Sequence, residues 1–337
     1  MNIAYVVPSL AAKGPIIVVR DLSELMVTNG HKCTVFYFDD IVEMTFPCPT
    51  IRITRKIDFR EFDIVHSHGL RPDIYIYKYR EWSGRVKYIS TVHNYVLQDF
   101  RYQYNWFIAQ TAGRIWLRML HRMDRVVALT NDAVKYYTRW LQSCKLIYAY
   151  NTRIVEHAKI LNKEEKEHIE EFKNESTLIG VNALLTHRKG VDQIIRALPF
   201  LPNHKLFIAG DGKVRKELET LAENLEVKDR CYFAGYVKDA YRYMEHYDVY
   251  VASSRSEGFG LMLLEAAQYK VPTICSRIPV FEEIFSSEEV AFFELDNISS
   301  LVEAIRNVPD GKKMYERYIN CYTPQKFYER YLEIYTN

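Results

Sequence analysis

The sequence predicts an α/β protein with two domains, each a parallel sheet wound on both faces by helices. The chain of 337 residues is longer than a single hydrophobic core usually covers. Short β-rich apolar runs alternate with amphipathic stretches in both halves. Such alternation is typical of parallel strands joined by crossover helices. Two series of this kind therefore predict two doubly wound domains.

The individual elements follow from these runs. In the first half we expect strands at residues 3–7, 33–38, 64–66, 86–92, 126–129 and 146–149. In the second half we expect strands at 178–181, 205–209, 231–233, 249–251 and 273–275. Amphipathic helices are expected at 16–27, 191–198 and 215–225.

The domain boundary is expected between residues 151 and 176, where a strand ends and the charged stretch 162–173 follows. That stretch is interpreted as a solvated helix face. A tyrosine-rich helix at 323–335 is expected to return to the first domain. The predicted domains are therefore 1–155 joined by 323–337, and 156–322.

Composition and charge narrow the functional classes. The six cysteines lie far apart, as expected for core residues in a reducing compartment. The first apolar run stops at Pro8 and is interpreted as a strand rather than a signal peptide, and no run reaches the roughly 18 residues of a spanning helix. We therefore expect a soluble, cytoplasmic protein. Residues 1–160 carry a charge of +8 against +2 overall, which indicates an anionic partner, but no nucleic-acid-binding pattern is present.

The stretch 254–272 carries the strongest chemical signal. It follows an expected strand, contains a glycine-rich turn and opens a helix. The unpaired amides at such a helix start suit a phosphate, and Gly258 and Gly260 would let the backbone approach it. Glu257 and Glu265 would lie on broadly the same helix face, where a carboxylate suits a ribose diol. The alternative is a turn residue and a helix carboxylate without a ligand.

Other patterns are weaker. The glycines of 210–212 are interpreted as a tight turn, because the spacing of a dinucleotide fingerprint is absent. His66 and His68 are interpreted as part of a strand-end turn rather than as metal ligands. His93, after an expected strand, is either a ligand-binding residue or a hydrogen-bonded loop histidine.

These features resemble glycosyltransferase family 4, retaining enzymes of the GT-B fold whose signature is E-x7-E. Glu257 and Glu265 have that spacing. Matching segments lie at 180–190, 207–212, 233–237 and 278–283 in the second half, and at 7–14, 66–69, 91–94 and 128–132 in the first. The resemblance covers nearly the whole chain. It implies two Rossmann-like domains facing an interdomain cleft, with the acceptor on the first and a nucleotide sugar on the second.

The resemblance implies three candidate catalytic residues. Glu257 would hold the donor sugar, and His93 would lie beside the sugar that is transferred. Lys189 would neutralise the departing diphosphate.

It also implies a set of residues that bind the donor. Glu265 would bind the ribose hydroxyls, and the other residues would contact the phosphates, the sugar or the base. The full set is Gly14, Arg188, Gly235, Tyr236, Val237, Phe259, Gly260, Leu261 and Glu265.

No D-x-D triplet is present, so the resemblance implies metal-independent transfer without a cofactor. A UDP-sugar is the favoured donor and a GDP-sugar the other. The acceptor would be a glycan or lipid-linked molecule of cell-surface polysaccharide synthesis, such as lipopolysaccharide or capsule. One departure is that Ala183 or Leu184 stands where the family commonly has a loop arginine. Two alternatives stay open: a sugar-nucleotide epimerase of GT-B shape, and an inactive partner subunit of a transferase.

Residues 101–125 predict contact with an anionic membrane surface. Arg114, Arg118 and Arg122 recur every four residues, with Arg125 near that line and aromatic residues including Trp116 around them. A basic, aromatic helix face can rest on anionic headgroups. The alternative is a solvated helix with core aromatics. We therefore expect a peripheral protein at the inner face of the plasma membrane.

Overall fold

The computed structural model describes residues 1–82, 84–104 and 106–337. The chain divides into two compact units, Met1–Ile154 with Tyr322–Asn337, and Val155–Cys321. Each unit holds one sheet whose strands pair in parallel, with helices as the crossover connections. The predicted α/β class of two doubly wound domains is confirmed.

The first unit is built on a seven-stranded sheet of order β3-β2-β1-β4-β5-β6-β7. Its strands are β1 (Asn2–Val7), β2 (Lys32–Tyr37), β3 (Thr50–Arg52), β4 (Ile64–His68), β5 (Lys87–Val92), β6 (Arg125–Ala128) and β7 (Leu146–Tyr148). The helices before the domain boundary are α1 (Gly14–Thr28), α2 (Leu70–Tyr79), α3 (Val96–Gln103), α4 (Trp106–Ile108), α5 (Arg114–Leu120) and α6 (Asn131–Tyr137). The central strand β4 is buried along its whole length, as expected for a strand covered on both faces.

The second unit is built on a six-stranded sheet of order β10-β9-β8-β11-β12-β13. Its strands are β8 (Thr177–Asn182), β9 (His204–Ala209), β10 (Cys231–Gly235), β11 (Val249–Ala252), β12 (Thr273–Ser276) and β13 (Ala291–Phe293). Its helices are α7 (Lys163–Lys173), α8 (Val191–Ala197), α9 (Arg215–Asn224), α10 (Leu261–Gln268), α11 (Pro279–Ile284), α12 (Ile298–Arg306) and α13 (Lys312–Cys321).

Two strands were not predicted. Both β3 and β13 have three residues and lie at the edge of their sheets. All of β3 is exposed, so it lacks the apolar signal of the inner strands. The residues of β13 are apolar, and nothing in the structure explains why this strand was missed.

The charged stretch after the boundary is the helix α7. Asn162 and Glu165 form a reciprocal cap, in which each side chain accepts a hydrogen bond from the other's backbone amide. Ile169 is its one buried residue. The interpretation as a solvated helix face is confirmed.

The last helix, α14 (Pro324–Thr336), belongs to the first unit. Its buried face carries Tyr331 and Tyr335, which reach the middle of the sheet. The Tyr335 hydroxyl lies 2.8 Å from Nδ1 of His66, and the Tyr331 hydroxyl lies 3.2 Å from Oγ1 of Thr91. Side chains from the end of the chain thus satisfy polar groups on β4 and β5.

The segment 101–125 is not the single helix that the arginine spacing suggested. Helix α3 ends at Gln103, and a π-helical segment, Ala109–Gly113, precedes α5. Arg125 begins strand β6, so it is not part of the basic line. Trp116 is 5% exposed and donates a hydrogen bond to Asp73 at 2.6 Å, so it is a core residue. No helix among the described residues is long and apolar enough to cross a bilayer.

We expect Tyr335→Phe to destabilise the first unit by about 1–3 kcal/mol, because it leaves Nδ1 of buried His66 without its partner. All four tryptophans lie at positions 82–140, so urea unfolding followed by tryptophan fluorescence reports on the first unit selectively. Tyr102→Phe, at a hydroxyl on a half-exposed side chain, is the matched control. Equal unfolding midpoints for both variants would contradict the role of α14.

Candidate functional site

The candidate site of the second unit lies at the carboxyl edge of its sheet, where the loops after β8 and β11 meet. Parallel strands end at one edge, and ligands of open α/β sheets bind there. The Ser253 hydroxyl donates to the carbonyl of Lys189 at 3.0 Å, and the Arg255 amide donates to the carbonyl of Arg188 at 2.7 Å. Gly190 has a φ of +64°, and a Cβ there would lie 2.1 Å from the Ser253 carbonyl oxygen. The close approach of the two loops therefore requires glycine at 190.

The two predicted residues Lys189 and Glu257 come together in this edge. Lys189 donates a hydrogen bond to Glu257, which is 6% exposed, and Arg188 Nη1 lies 3.7 Å from the other carboxylate oxygen. The Ser254 hydroxyl donates to Glu257 Oε1 at 2.8 Å. Burial acts to raise the pKa of Glu257, but Lys189 and Arg188 outweigh it, so the pKa lies below its ordinary value. Glu257 is a buried, ionised carboxylate.

Helix α10 begins at Leu261, four residues after Glu257, so the expected placement of Glu257 and Glu265 on one helix face is wrong. Its N-cap is Gly260, with a φ of +97° and no side chain to cap the first amides, so the helix start can accept an anion. A Cβ at Gly260 would lie 2.8 Å from the Phe281 ring. Glu265 is half-buried one turn into the helix. The pKa of buried Tyr250 is raised first by burial and further by the negative charges of Glu265 and Glu257.

The glycines of the loop after β9 are packing residues, as the tight-turn interpretation predicted. A Cβ at Gly212 would lie 2.2 Å from the carbonyl oxygen of Leu185. This holds the loop after β9 against the loop after β8. Leu184, at the place of the family's loop arginine, is 64% exposed.

The predicted base-contacting residues lie at the end of the edge strand β10 and directly after it. Gly235 has a φ of +75°, Tyr236 is 67% exposed, and Val237 lines a cavity of about 230 Å³ together with Phe207 and Tyr232. The contact of these three residues with the base stays a prediction.

In the first unit, Gly14 and His93 are predicted site residues at the carboxyl edge of the sheet. Gly14 is the first residue of α1. His93 directly follows β5, and its Nε2 lies 2.8 Å from Nδ1 of His68, which ends β4. Burial lowers the pKa of His93 to about 3 and holds that of His68 well below its ordinary value, so both rings are neutral.

A metal site at the histidines finds no support. Both ring nitrogens of His66 already lie at 2.8 Å from hydroxyls, those of Tyr335 and Thr91. Across the described ranges no group of three His, Cys, Asp or Glu residues could hold a metal ion. The strand-end turn interpretation is wrong for His66, which is buried in the middle of β4, whereas His68 is the last residue of that strand.

Sequence reasoning missed the residues that fasten the second unit's loops. The guanidinium of Arg255 bonds Asp192 at 2.9 Å and Asp296 at 2.5 Å. Gln193 donates to the Ser253 carbonyl at 2.9 Å. No local pattern marks these partners, since 41 to 63 residues separate them along the chain. The S-x-x-E spacing of Ser254 and Glu257 is the one signal that sequence reasoning could have used.

We expect Lys189→Met to destabilise the second unit by about 3 kcal/mol at pH 7, because it leaves a buried carboxylate with the more distant Arg188 as its cation. A carboxylate whose pKa is lower in the folded protein than its ordinary value of 4.5 stabilises the folded state at pH values above 4.5. This stabilisation is lost as the pH falls through the pKa of the folded state. The loss should therefore shrink towards pH 4. Calorimetric unfolding from pH 4 to 8 measures it, with Lys216→Met on the exposed face of α9 as the control. A loss that is the same at all pH values would contradict the ion pair.

Family models match both units. The model described as Glycosyltransferase Family 4 matches residues 44–151, and the model described as Glycosyl transferases group 1 matches residues 162–321. The O-antigen biosynthesis glycosyltransferase WclY of Escherichia coli is 32% identical over 317 residues, which cover 90% of this chain and 88% of WclY. The lipopolysaccharide core biosynthesis glycosyltransferase LpsD of Rhizobium meliloti is 32% identical over 131 residues, covering 39% of this chain and 38% of LpsD.

Solved structures share the fold. HepE of Anabaena, in complex with UDP and glucose, superposes with a TM-score of 0.84 at 14% identity, covering 100% of this chain and 99% of HepE. The sucrose-phosphate synthase of Thermosynechococcus elongatus superposes with a TM-score of 0.82 at 18% identity, covering 100% of this chain and 98% of the synthase. These likenesses give the architecture, which is GT-B. By its family models and its similarity to WclY, the chain belongs to the glycosyltransferases, in the group 1 and family 4 branch.

Proposed function

We propose that this glycosyltransferase is a retaining, metal-independent enzyme that transfers a sugar from a nucleotide-sugar donor. A UDP-sugar is the favoured donor and a GDP-sugar the other. The acceptor is a cell-surface glycan or its lipid-linked precursor, as in the synthesis of O-antigen, lipopolysaccharide or capsule. The second unit binds the donor and the first unit binds the acceptor.

The observation that carries this proposal is the buried Glu257 beside Lys189 and Arg188 at the start of α10. The two cations and the carboxylate sum to one positive charge. That charge and the uncapped amides of α10 offer a diphosphate both an electrostatic partner and hydrogen-bond donors. Glu265 offers carboxylate oxygens to a ribose diol. Glu257 and Glu265 supply the E-x7-E pair.

The proposed chemistry needs no covalent nucleophile. The bond between the anomeric carbon and the diphosphate oxygen breaks, and Lys189 and Arg188 stabilise the charge that develops on the leaving group. The acceptor hydroxyl attacks the same face of the sugar, and the leaving phosphate accepts its proton. His93 contacts the transferred sugar, and Gly14 lets the first loop approach the phosphates.

The relatives support the choice of donor and acceptor. HepE has been solved with UDP and with UDP-glucose. WclY is named for O-antigen biosynthesis, and LpsD for lipopolysaccharide core biosynthesis. These names belong to those proteins and motivate the order in which donors and acceptors are tried.

Incubation with radiolabelled UDP-sugars and GDP-sugars tests the reaction. Slow release of free sugar without an acceptor, and transfer of the labelled sugar to lipid-linked glycan when that acceptor is supplied, is the result expected of a transferase. An epimerised donor would establish the epimerase alternative. No turnover of any donor would favour the inactive partner subunit, for which the exposed Leu184 in place of a loop arginine is the structural argument.

We also propose that the first unit rests on the anionic inner face of the plasma membrane. The aromatic side chains of Tyr104, Trp106 and Phe107 are 61%, 63% and 67% exposed. Arg114 and Arg118 are exposed on the adjoining helix α5. Exposed aromatic groups beside cations suit the headgroup region of an anionic bilayer.

We expect Glu265→Gln to weaken UDP binding by about 1.5–3 kcal/mol, roughly 10- to 150-fold in Kd, because a hydrogen bond to a charged acceptor is lost. Isothermal calorimetry with UDP and GDP measures it. Glu171→Gln, at an exposed carboxylate of α7, is the matched control. Unchanged UDP affinity in the Glu265 variant would remove this residue from the donor site.

Turnover is expected to persist in excess EDTA, because Lys189 and Arg188 would supply the positive charge that a divalent cation supplies in other transferases. The measurement is the rate of donor consumption with EDTA and then with added magnesium or manganese. Loss of activity with EDTA and its recovery with either metal would show that a metal ion, rather than Lys189 and Arg188, neutralises the charge of the leaving group.

Removal of Arg114, Arg118 and Arg122 together is expected to weaken binding to anionic vesicles by roughly 1 kcal/mol per charge. The effect of Arg122 should be the smallest, because its guanidinium already lies 5.0 Å from the Trp82 ring and 5.3 Å from that of Tyr77. Binding should fall in 1 M salt, where the Debye length is about 3 Å. Co-sedimentation measures it, with three exposed lysines of the second unit neutralised as the control, Lys163, Lys216 and Lys313. Equal pelleting of both triple variants would show that the arginines lie on a solvated face and do not bind the membrane.

A further inference from the structure

The pair formed by His68 and His93 is more constrained than an ordinary loop contact. His68 is 1% exposed, and its Nδ1 makes the 2.8 Å hydrogen bond to Nε2 of His93. The other nitrogen of His68, Nε2, is buried and has no hydrogen-bond partner in the described part of the chain. Nδ1 of His93 makes no hydrogen bond to the described residues. It is also not one of the buried atoms that lack a partner, so it is accessible. The pair therefore has a buried end at His68 and an open end at His93.

The hydrogen bond couples the protonation of the two rings. Both rings are neutral, so each carries one N–H and one lone pair. If His68 donates from Nδ1, then His93 accepts at Nε2 and carries its own hydrogen on Nδ1. If His93 donates from Nε2, then His68 must carry its hydrogen on the buried Nε2. Two arrangements are therefore possible, and each fixes both tautomers.

The buried end selects between them. The first arrangement leaves a nitrogen lone pair of His68 without a partner, and the second leaves an N–H donor without one. Buried donors without a partner are rarer in folded proteins than acceptors left unsatisfied. The first arrangement is therefore favoured, with Nδ1–H of His68 donating to Nε2 of His93.

We propose that His68 is a positioning residue that holds His93 as the Nδ1–H tautomer, so that His93 presents a neutral hydrogen-bond donor to a sugar hydroxyl oxygen. The contact with sugar rests on the proposed function, whereas the tautomer of His93 and its dependence on His68 do not. In this arrangement His93 can position a hydroxyl but cannot act as a proton acceptor through Nδ1. The donor set at this edge of the first unit is thereby fixed before any ligand arrives.

Nitrogen NMR of the protein labelled with ¹⁵N-histidine tests the tautomer directly, because protonated and unprotonated ring nitrogens have well separated chemical shifts. His93 is assigned among the ten histidines by the signal lost in His93→Gln. We expect a protonated Nδ1 and an unprotonated Nε2 in the wild type. In His68→Leu we expect a mixture of tautomers, and in His68→Asn, whose amide N–H reaches about the same place as Nδ1–H, a return to the wild-type signal. A wild-type His93 protonated on Nε2, or a His93 signal unchanged in His68→Leu, would overturn the proposal.

Controls and kinetics separate positioning from loss of fold. Tryptophan fluorescence establishes that the first unit of each variant is folded, and His121→Leu, at an exposed histidine of the same unit, should leave the His93 signal unchanged. With an active donor in hand, kcat of His68→Leu should fall about as far as that of His93→Gln, and His68→Asn should recover most of it. A folded His68→Leu with wild-type kcat would overturn the role of His68. If no donor is turned over, the proposed function fails while the NMR result still decides the tautomer.

Discussion

The buried ion pair between Glu257 and Lys189 is the constraint on which the candidate donor site depends. A carboxylate with so little exposure is stable only beside a cation, so the loops after β8 and β11 must stay together. The same contact brings the start of α10 beside two positive charges and sets where Glu265 lies. Gly190 and Arg255 serve this arrangement, the first by allowing the close approach and the second by tying the loop after β11 to Asp192 and Asp296. A diphosphate would therefore meet a site whose charges are already in place.

The first unit also has buried polar groups that need partners, but these groups are neutral. Its central strands carry buried polar side chains, which need hydrogen-bond partners rather than counter-charges. The chain supplies two of these partners from its last helix, where Tyr331 and Tyr335 reach Thr91 and His66. The fold of the first unit therefore depends on residues that follow the whole of the second unit in sequence. This explains in physical terms why α14 is rich in buried tyrosine, which combines a large apolar ring with a polar tip.

The sequence predicts features that depend on neighbouring residues, but it does not predict contacts between residues that are far apart in the chain. Inner strands such as β1 and β11 were predicted because their apolar runs are continuous, whereas the exposed edge strand β3 has no apolar run. The glutamate spacing drew attention to 257 and 265, but Lys189 lies 68 residues from Glu257, and no spacing shows that the two form an ion pair. Trp116 was grouped with the arginines, but it lies two residues from both Arg114 and Arg118 and therefore on the other face of α5. Its buried bond to Asp73 depends on the packing of α5 against α2, which sequence does not reveal.

Hydrogen–deuterium exchange with and without saturating UDP tests the central claim most directly, namely that the carboxyl edge of the second unit's sheet holds the nucleoside diphosphate. Backbone amides bound to phosphate exchange slowly, and so do amides of loops that a ligand orders. We expect UDP to slow exchange in residues 183–190 and 256–263, and the same protection to be largely lost in the Glu265→Gln variant at equal UDP concentration. Binding of UDP without slower exchange in either segment would contradict this location for the donor site.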